Sequence, residues 1–156
     1  KMRKHSGKGT INYNKGGTYE GEFVDAAPHG IGKMTYKDGR ICEGIWEDGE
    51  IEYEGELVNG KPHGKGKKIY PKGDEYEGEW ENGKKQGQGT YKWNDGDVYE
   101  GKWKDNKMNG KGITKYPDGS VCYDGDFKDG LFDGNGTRNY KNGTWSSGAC
   151  RLSSVR

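Results

Sequence analysis

The sequence is poor in apolar residues, which make up 28% of its 156 positions. Ordinary globular domains carry roughly 45–50%, so a thick aliphatic core is excluded. No apolar run approaches the roughly 18 residues needed to cross a bilayer as a helix, and no signal-peptide pattern appears. Charge of one sign is lacking too: 26 basic and 25 acidic residues leave a formal net charge of +1. That balance argues against a dedicated nucleic-acid binder and against a strongly cationic membrane anchor. The three cysteines, Cys42, Cys122 and Cys150, have no CxxC spacing and are odd in number, which fits a reducing, cytoplasmic setting better than a disulfide framework. No stretch has a helical period. The chain begins at Lys1 without an initiator Met, which leaves open a piece of something longer.

What is abundant is glycine, at 30 residues, and aromatic side chains, at 12% with 11 Tyr and 5 Trp. Chains that stay disordered are poor in aromatics, so this one is expected to fold. The glycines and rings recur together. Tyr-Glu-Gly-Glu appears at Tyr19, Tyr53 and Tyr76, and variants continue it at Tyr99 and Tyr123. The spacing is 23 residues from Tyr53 to Tyr76 and from Tyr76 to Tyr99, then 24 to Tyr123. A Gly-x-Gly pair recurs at Gly30, Gly64, Gly87, Gly110 and Gly134, with an aromatic four residues after the second glycine: Tyr36, Tyr70, Trp93, Tyr116 and Tyr140. A fixed period of this length marks a repeat architecture. One copy is broken: Cys42-Glu-Gly-Ile-Trp46 opens on schedule, but the next Tyr-Glu-Gly arrives 11 residues later, at Tyr53. About one strand and a connector are missing, and an irregular junction is expected over residues 47–53.

Alternation within Tyr76-Glu-Gly-Glu-Trp80 puts Tyr76, Gly78 and Trp80 on one face and the glutamates on the other. Period two with aromatics and regular turn signals indicates strands. Parity then limits the connections. Tyr70 and Tyr76 share a face only across an odd loop, and three residues with Gly73 in the left-handed region, ending in a G1 bulge, meet that need. A two-residue turn at Asp95-Gly96 would split the aromatics between faces and is rejected. Trp80 to Gly87 needs an even loop, placed around Asn82 to Lys85. Gly49, Gly60, Gly83 and Gly130 fill one slot there, with Asn106 as a tolerant substitute and Ala26 as a mild conflict. Strand glycines on the ring-bearing face leave notches that an aromatic ring can cover.

These motifs resemble the MORN repeat family, whose unit reads roughly Tyr-x-Gly-x-aromatic, Gly-Lys-x-x-Gly-x-Gly, Asp-Gly. The resemblance runs to about residue 145; beyond it Ser146, Ser147 and Cys150 replace the Tyr-Glu and Trp slots, and Cys42 replaces a tyrosine. It implies an all-β chain, a single-layer twisted antiparallel sheet of consecutive β-hairpins forming an elongated ribbon. About thirteen strands at ~4.8 Å spacing give a length on the order of 60 Å. The expected array has a partial repeat over 1–18, repeats at 19–41, 53–75, 76–98, 99–122 and 123–145, a truncated copy at 42–52, and a degenerate strand or cap over 146–156.

No catalytic, cofactor or metal site emerges. The Gly-x-Gly pairs lack the helix N-terminus that a phosphate loop needs. His29 and His63 share a slot that holds Gln86, Asn109 and Asp133 elsewhere, which marks a turn position and not a general base. The pairs Glu20/Glu22, Glu54/Glu56 and Glu77/Glu79 read as a solvated face, and the Asp-Gly turns lack the alternating ligands of a calcium loop. A single-layer sheet leaves part of its ring stripe uncovered, and exposed aromatic surface marks interaction sites. The candidates for partner binding are Tyr76, Trp80, Trp93, Tyr99, Trp103, Tyr116 and Phe127, within a stripe that also takes in Tyr19, Phe23 and Trp46.

The leading expectation is a non-catalytic scaffold that docks a helix or extended segment of a partner protein along one aromatic groove. The resemblance adds cytoskeletal or membrane-junction settings and homo-oligomers, which exposed sheet ends also allow. It implies, as an alternative, a targeting module of a longer enzyme such as a lipid kinase, exchange factor or methyltransferase. Direct binding to anionic phospholipid ranks last, resting on Lys61, Lys65, Lys67, Lys68 and Lys72. Nucleic acid ranks lower still, because the lysines are expected opposite the rings.

Overall fold

The computed structural model describes residues 6–138. The last strand or cap expected at 146–156 lies outside the described residues, as does the end of the preceding repeat. Within them the chain forms one open sheet of twelve strands whose spatial order is their sequence order. The strands are β1 (Gly7–Asn12), β2 (Thr18–Val24), β3 (Ala27–Thr35), β4 (Ile41–Glu47), β5 (Glu50–Val58) and β6 (Lys61–Ile69). They continue as β7 (Glu75–Glu81), β8 (Lys84–Lys92), β9 (Val98–Lys104), β10 (Lys107–Lys115), β11 (Val121–Lys128) and β12 (Leu131–Arg138). Every pairing is antiparallel, so each strand simply turns back on its predecessor.

Two turn types alternate. Between β6 and β7, Tyr70 N–H donates to Asp74 O at 2.9 Å and Gly73 N–H donates to Tyr70 O at 2.9 Å. Gly73 has φ 102°. This is the three-residue loop that parity requires, and Tyr36–Arg40, Trp93–Asp97 and Tyr116–Ser120 repeat its hydrogen bonds. Between β7 and β8 both connecting residues have positive φ, Asn82 at 50° and Gly83 at 84°. That is a type I′ turn, whose twist matches the strands it joins. The loop is even, as expected, but shorter than the sequence suggested, because Lys84 and Lys85 already belong to β8. Ala26 occupies the glycine slot with φ 66°.

The regular hairpins carry a bulge. Gly78 pairs Gly89, yet Trp80 pairs Lys85, leaving two extra residues on β8. Two extra residues preserve side-chain facing. The freed N–H groups find carboxylates of the first strand: Ile31 N–H donates to Glu22 Oε1 at 2.7 Å and Lys65 N–H to Glu56 Oε2 at 3.2 Å. One member of each of two carboxylate pairs expected to be merely solvated, Glu22 and Glu56, therefore caps a bulge. Elsewhere the polar face is laced by pairs such as Lys33–Glu20, Lys67–Glu75 and Lys115–Glu100.

The core is a ladder of rings. Tyr76 lies along its own strand over Gly78 and the cross-strand Gly89, and a Cβ built on Gly89 would run into the Tyr76 hydroxyl. The hydroxyl then donates to Glu79 O at 2.9 Å. Tyr19, Tyr53, Tyr99 and Tyr123 do the same toward Glu22, Glu56, Lys102 and Asp126. The tryptophans that end first strands reach back to the preceding strand: the indole N–H groups of Trp46, Trp80 and Trp103 donate to Gly32, Gly66 and Gly89 carbonyls at 3.0, 3.0 and 3.2 Å. The rings meet edge to face, Tyr76 with Trp80 at 5.0 Å and with Trp103 at 5.2 Å. At ~150–250 Å² per ring and about 25 cal/mol per Å², burial contributes roughly 4–6 kcal/mol each before entropy. That is how so little aliphatic material suffices.

The truncated copy inverts the sheet. β4 and β5 meet at the type I′ turn Asp48-Gly49, Trp46 pairs Ile51 and Ile45 pairs Tyr53, leaving one extra residue, Glu52. One extra residue reverses facing. The rings therefore form two clusters on opposite faces. Tyr19, Met34, Cys42 and Trp46, with Phe23 and Ile51 against them, make the first. The second begins with Tyr53, gathers Ile45 from the far side of β4, and runs to Phe127. The single continuous groove expected from the sequence is corrected accordingly: the irregularity at 47–53 exists, and its bulge sends Tyr53 to the side opposite Trp46. A second one-residue bulge, between β10 and β11, absorbs the 24-residue spacing and turns both Cys122 and Tyr123 inward. Cys122 is disulfide-bonded. Cys42 is free and buried, and burial pushes its thiol up to about 11.

Candidate functional site

All seven candidate rings fall on the second cluster's face. Six of them bury one another, with Tyr76 and Tyr99 at 0% exposure and Trp103, the most open of the six, at 6%. Trp93 keeps accessible surface because it sits where β8 leaves the sheet for its three-residue turn. The surface beside it comes from Tyr91 and Tyr70, half-buried rings packed against the cluster. Tyr91 meets Trp93 at 4.9 Å and Tyr70 at 5.8 Å. Sequence reasoning passed over both as binding residues, although Tyr70 was already placed on the ring-bearing face by parity.

Two hydrogen bonds fix Tyr91. Its hydroxyl donates to Asp74 Oδ2 at 2.7 Å, and the other Asp74 oxygen accepts Asn94 N–H at 2.9 Å. Asp74 is almost wholly enclosed, with Lys72 Nζ 3.3 Å away. Burial alone would raise its carboxyl, but the Tyr91 and Asn94 bonds and the Lys72 charge outweigh it and hold the group below the usual range.

Among these rings lie two lysines. Lys85 pairs Trp80 across the hairpin and so points to the ring face. Its Nζ sits 5.7, 5.7, 5.8 and 5.3 Å from the ring centroids of Tyr70, Tyr76, Tyr91 and Trp103. It donates to the Tyr70 hydroxyl at 3.2 Å. Burial, with a smaller push from the Lys68 charge, lowers its amine to about 8. Lys68, opposite Tyr53 in β6, holds its Nζ 5.4 Å from the Tyr70 ring. Such cation–ring contacts attract by about 0.5–2 kcal/mol. Among the described residues no carboxylate pairs with either ammonium.

The lysine cluster considered for phospholipid is divided by the pleat. Lys65 and Lys67 lie across from Glu79 and Glu77 on the polar face, Lys68 lies among the rings, and Lys72 is tied to Asp74. His29 and His63 serve as connectors: His29 Nδ1 accepts Asp48 N–H at 3.4 Å and His63 Nδ1 accepts Asn82 N–H at 3.3 Å. Gln86 does the same for Asp105 N–H at 3.0 Å. Among the described residues no group of three His, Cys, Asp or Glu could hold a metal ion, and no helix is long and apolar enough to cross a membrane.

The family model described as MORN repeat matches residues 19–39, 53–75, 76–98, 99–121 and 123–148. Its gap over 40–52 coincides with the inverting junction. No curated protein gives a significant match.

Proposed function

From the premise that the chain belongs to the MORN repeat family, a repeat module of interaction and membrane-binding proteins, we propose a non-catalytic scaffold that docks a segment of a partner protein. The segment, a helix or an extended strand, lies on the second ring face, where Trp93, Tyr91 and Tyr70 offer their open edges and the buried ladder of Tyr76, Trp80, Tyr99, Trp103, Tyr116 and Phe127 supports them. The observation that carries this reading is the contiguous run of half-buried rings, Tyr70 against Tyr91 against Trp93, at one edge of the second cluster. Aromatic anchors with rigid backing are the usual hot spots of protein interfaces. Family membership supports a cytoskeletal or membrane-associated assembly as the setting. The division of the lysine cluster between faces favours a protein partner over a bare anionic membrane.

Affinity purification from the native source tests it, with the wild-type chain, Trp93→Ala and Phe23→Ala as baits. Trp93→Ala removes the accessible ring while keeping the turn, in whose closing hydrogen bonds residue 93 takes part through its backbone, and is expected to weaken capture of the specific partner at least about tenfold. Phe23→Ala, on the opposite face, is expected to retain it. Equal capture by wild-type and Trp93→Ala baits would remove the second face from consideration.

A further inference from the structure

Among the described residues the type I′ hairpins set one slot opposite the apolar end of each first strand, and the slot is apolar in five hairpins out of six. Phe23 faces Pro28, Trp46 faces Ile51, Leu57 faces Pro62, Trp103 faces Met108 and Phe127 faces Phe132. In the sixth, Trp80 faces Lys85. The rest of the array shows that this fold needs no cation there. A desolvated ammonium is costly where an apolar side chain packs well, and residues that cost stability are commonly those that serve binding.

The local chemistry names the missing counterpart. Lys85 is ringed by four aromatic faces, and Lys68 approaches the same Tyr70 ring. Asp74, which reaches this face through Tyr91, is already engaged by the Tyr91 hydroxyl, Asn94 N–H and Lys72. The glutamates of the polar face lie on the other side of the sheet. Two unpaired cations inside an apolar frame attract a carboxylate strongly, because little water screens them. An anionic bilayer wants several lysines on one open surface, whereas here two are recessed among rings.

Resting on the docking face proposed above, we infer that its occupant is an acidic segment of a partner protein, one carboxylate seated against Lys85 and Lys68 and flanking apolar side chains resting on Tyr91 and Trp93. The partner motif is thus an Asp or Glu beside aromatic or aliphatic residues, and specificity lies in the acid while the rings supply affinity.

A phage-displayed random peptide library panned on the immobilised chain tests this. Enriched peptides are expected to share an acidic residue next to apolar ones. Synthetic copies are expected to lose about tenfold or more in affinity on Lys85→Met, as on replacing the peptide's Glu by Gln. Lys65→Met, on the polar face, is expected to bind as wild type, and a thermal melt of Lys85→Met at or above wild type shows that its fold is kept. Peptides that bind through Trp93 but lack an acid, or that bind Lys85→Met equally well, overturn the inference and leave the docking face standing. A library from which wild type retains nothing overturns both. Vesicles containing phosphatidylserine that co-sediment with wild type and not with Lys85→Met assign the cations to lipid, and overturn it as well.

Discussion

Lys85 gives the residue scale its clearest consequence. In the unfolded chain its amine keeps a proton to beyond about pH 10, while burial brings the folded value to about 8. Between those values the unfolded state holds a proton that the folded state has released, so stability rises with pH across that window. Below pH 8 the folded protein bears the full cost. Lys85→Met, copying Met108 one repeat on, is therefore expected to raise stability at pH 7 by about 1–2 kcal/mol, discounted for the water that reaches the ammonium. The gain should shrink as pH approaches 10, and urea titrations at pH 7 and pH 9.5 measure both. An unchanged midpoint at pH 7 would show that the cation sits there at no cost. Above pH 10 the tyrosines take over. Burial, then the Glu22 charge, raises Tyr19 to about 12, and Tyr53 is raised likewise. Their contribution is intact below pH 10 and lost as pH climbs through 12. Lys85 itself was not legible in the sequence. It stood in what looked like a polar connector, and only the tight two-residue turn, which sets it opposite Trp80, draws it inward.

At the scale of the hairpin, what joins one repeat to the next is a docked turn. Gly83 N–H donates to Pro62 O at 2.8 Å while Asn82 N–H donates to His63 Nδ1 at 3.3 Å. His63→Ala leaves the Asn82 N–H without its side-chain acceptor and is expected to cost about 0.5–1.5 kcal/mol, the net worth of one hydrogen bond. His63→Gln is expected to recover most of it, because Gln86 already makes the same bond in the next repeat. Denaturant midpoints of the two variants check this, and equal losses would mean that the slot matters only for bulk. The loops were legible because parity is arithmetic: Tyr70 and Tyr76 cannot share a face across an even loop. The glutamate caps were not, since Glu22 and Glu56 look like any outward carboxylate until the bulge beneath them frees an N–H.

On the scale of the whole molecule, the two ring clusters share no residue and occupy opposite faces. Stability in such arrays is close to a sum of neighbour terms. Met108→Ala, which opens a hole in the second cluster, is expected to cost about 2–4 kcal/mol. Amide exchange protection should fall across β8–β11 and stay near wild type in β2 and β3. A uniform loss would show that the sheet opens as one unit. The sequence announced the missing twelve residues plainly. It did not announce the side change, because a two-residue turn after Trp46 would by parity have kept Tyr53 with Trp46, and nothing in the composition marks Glu52 as unmatched.

That unmatched glutamate makes sidedness a matter of spacing and not of residue type. At that junction one supernumerary position rolls everything downstream through half a turn, whereas the two in the regular hairpins, and the one at Cys122 that takes up a lengthened spacing, leave the side unchanged. A ribbon of near-identical units can thus be given a front and a back, and a binding partner laid along one end will find only charge if it continues straight toward the other.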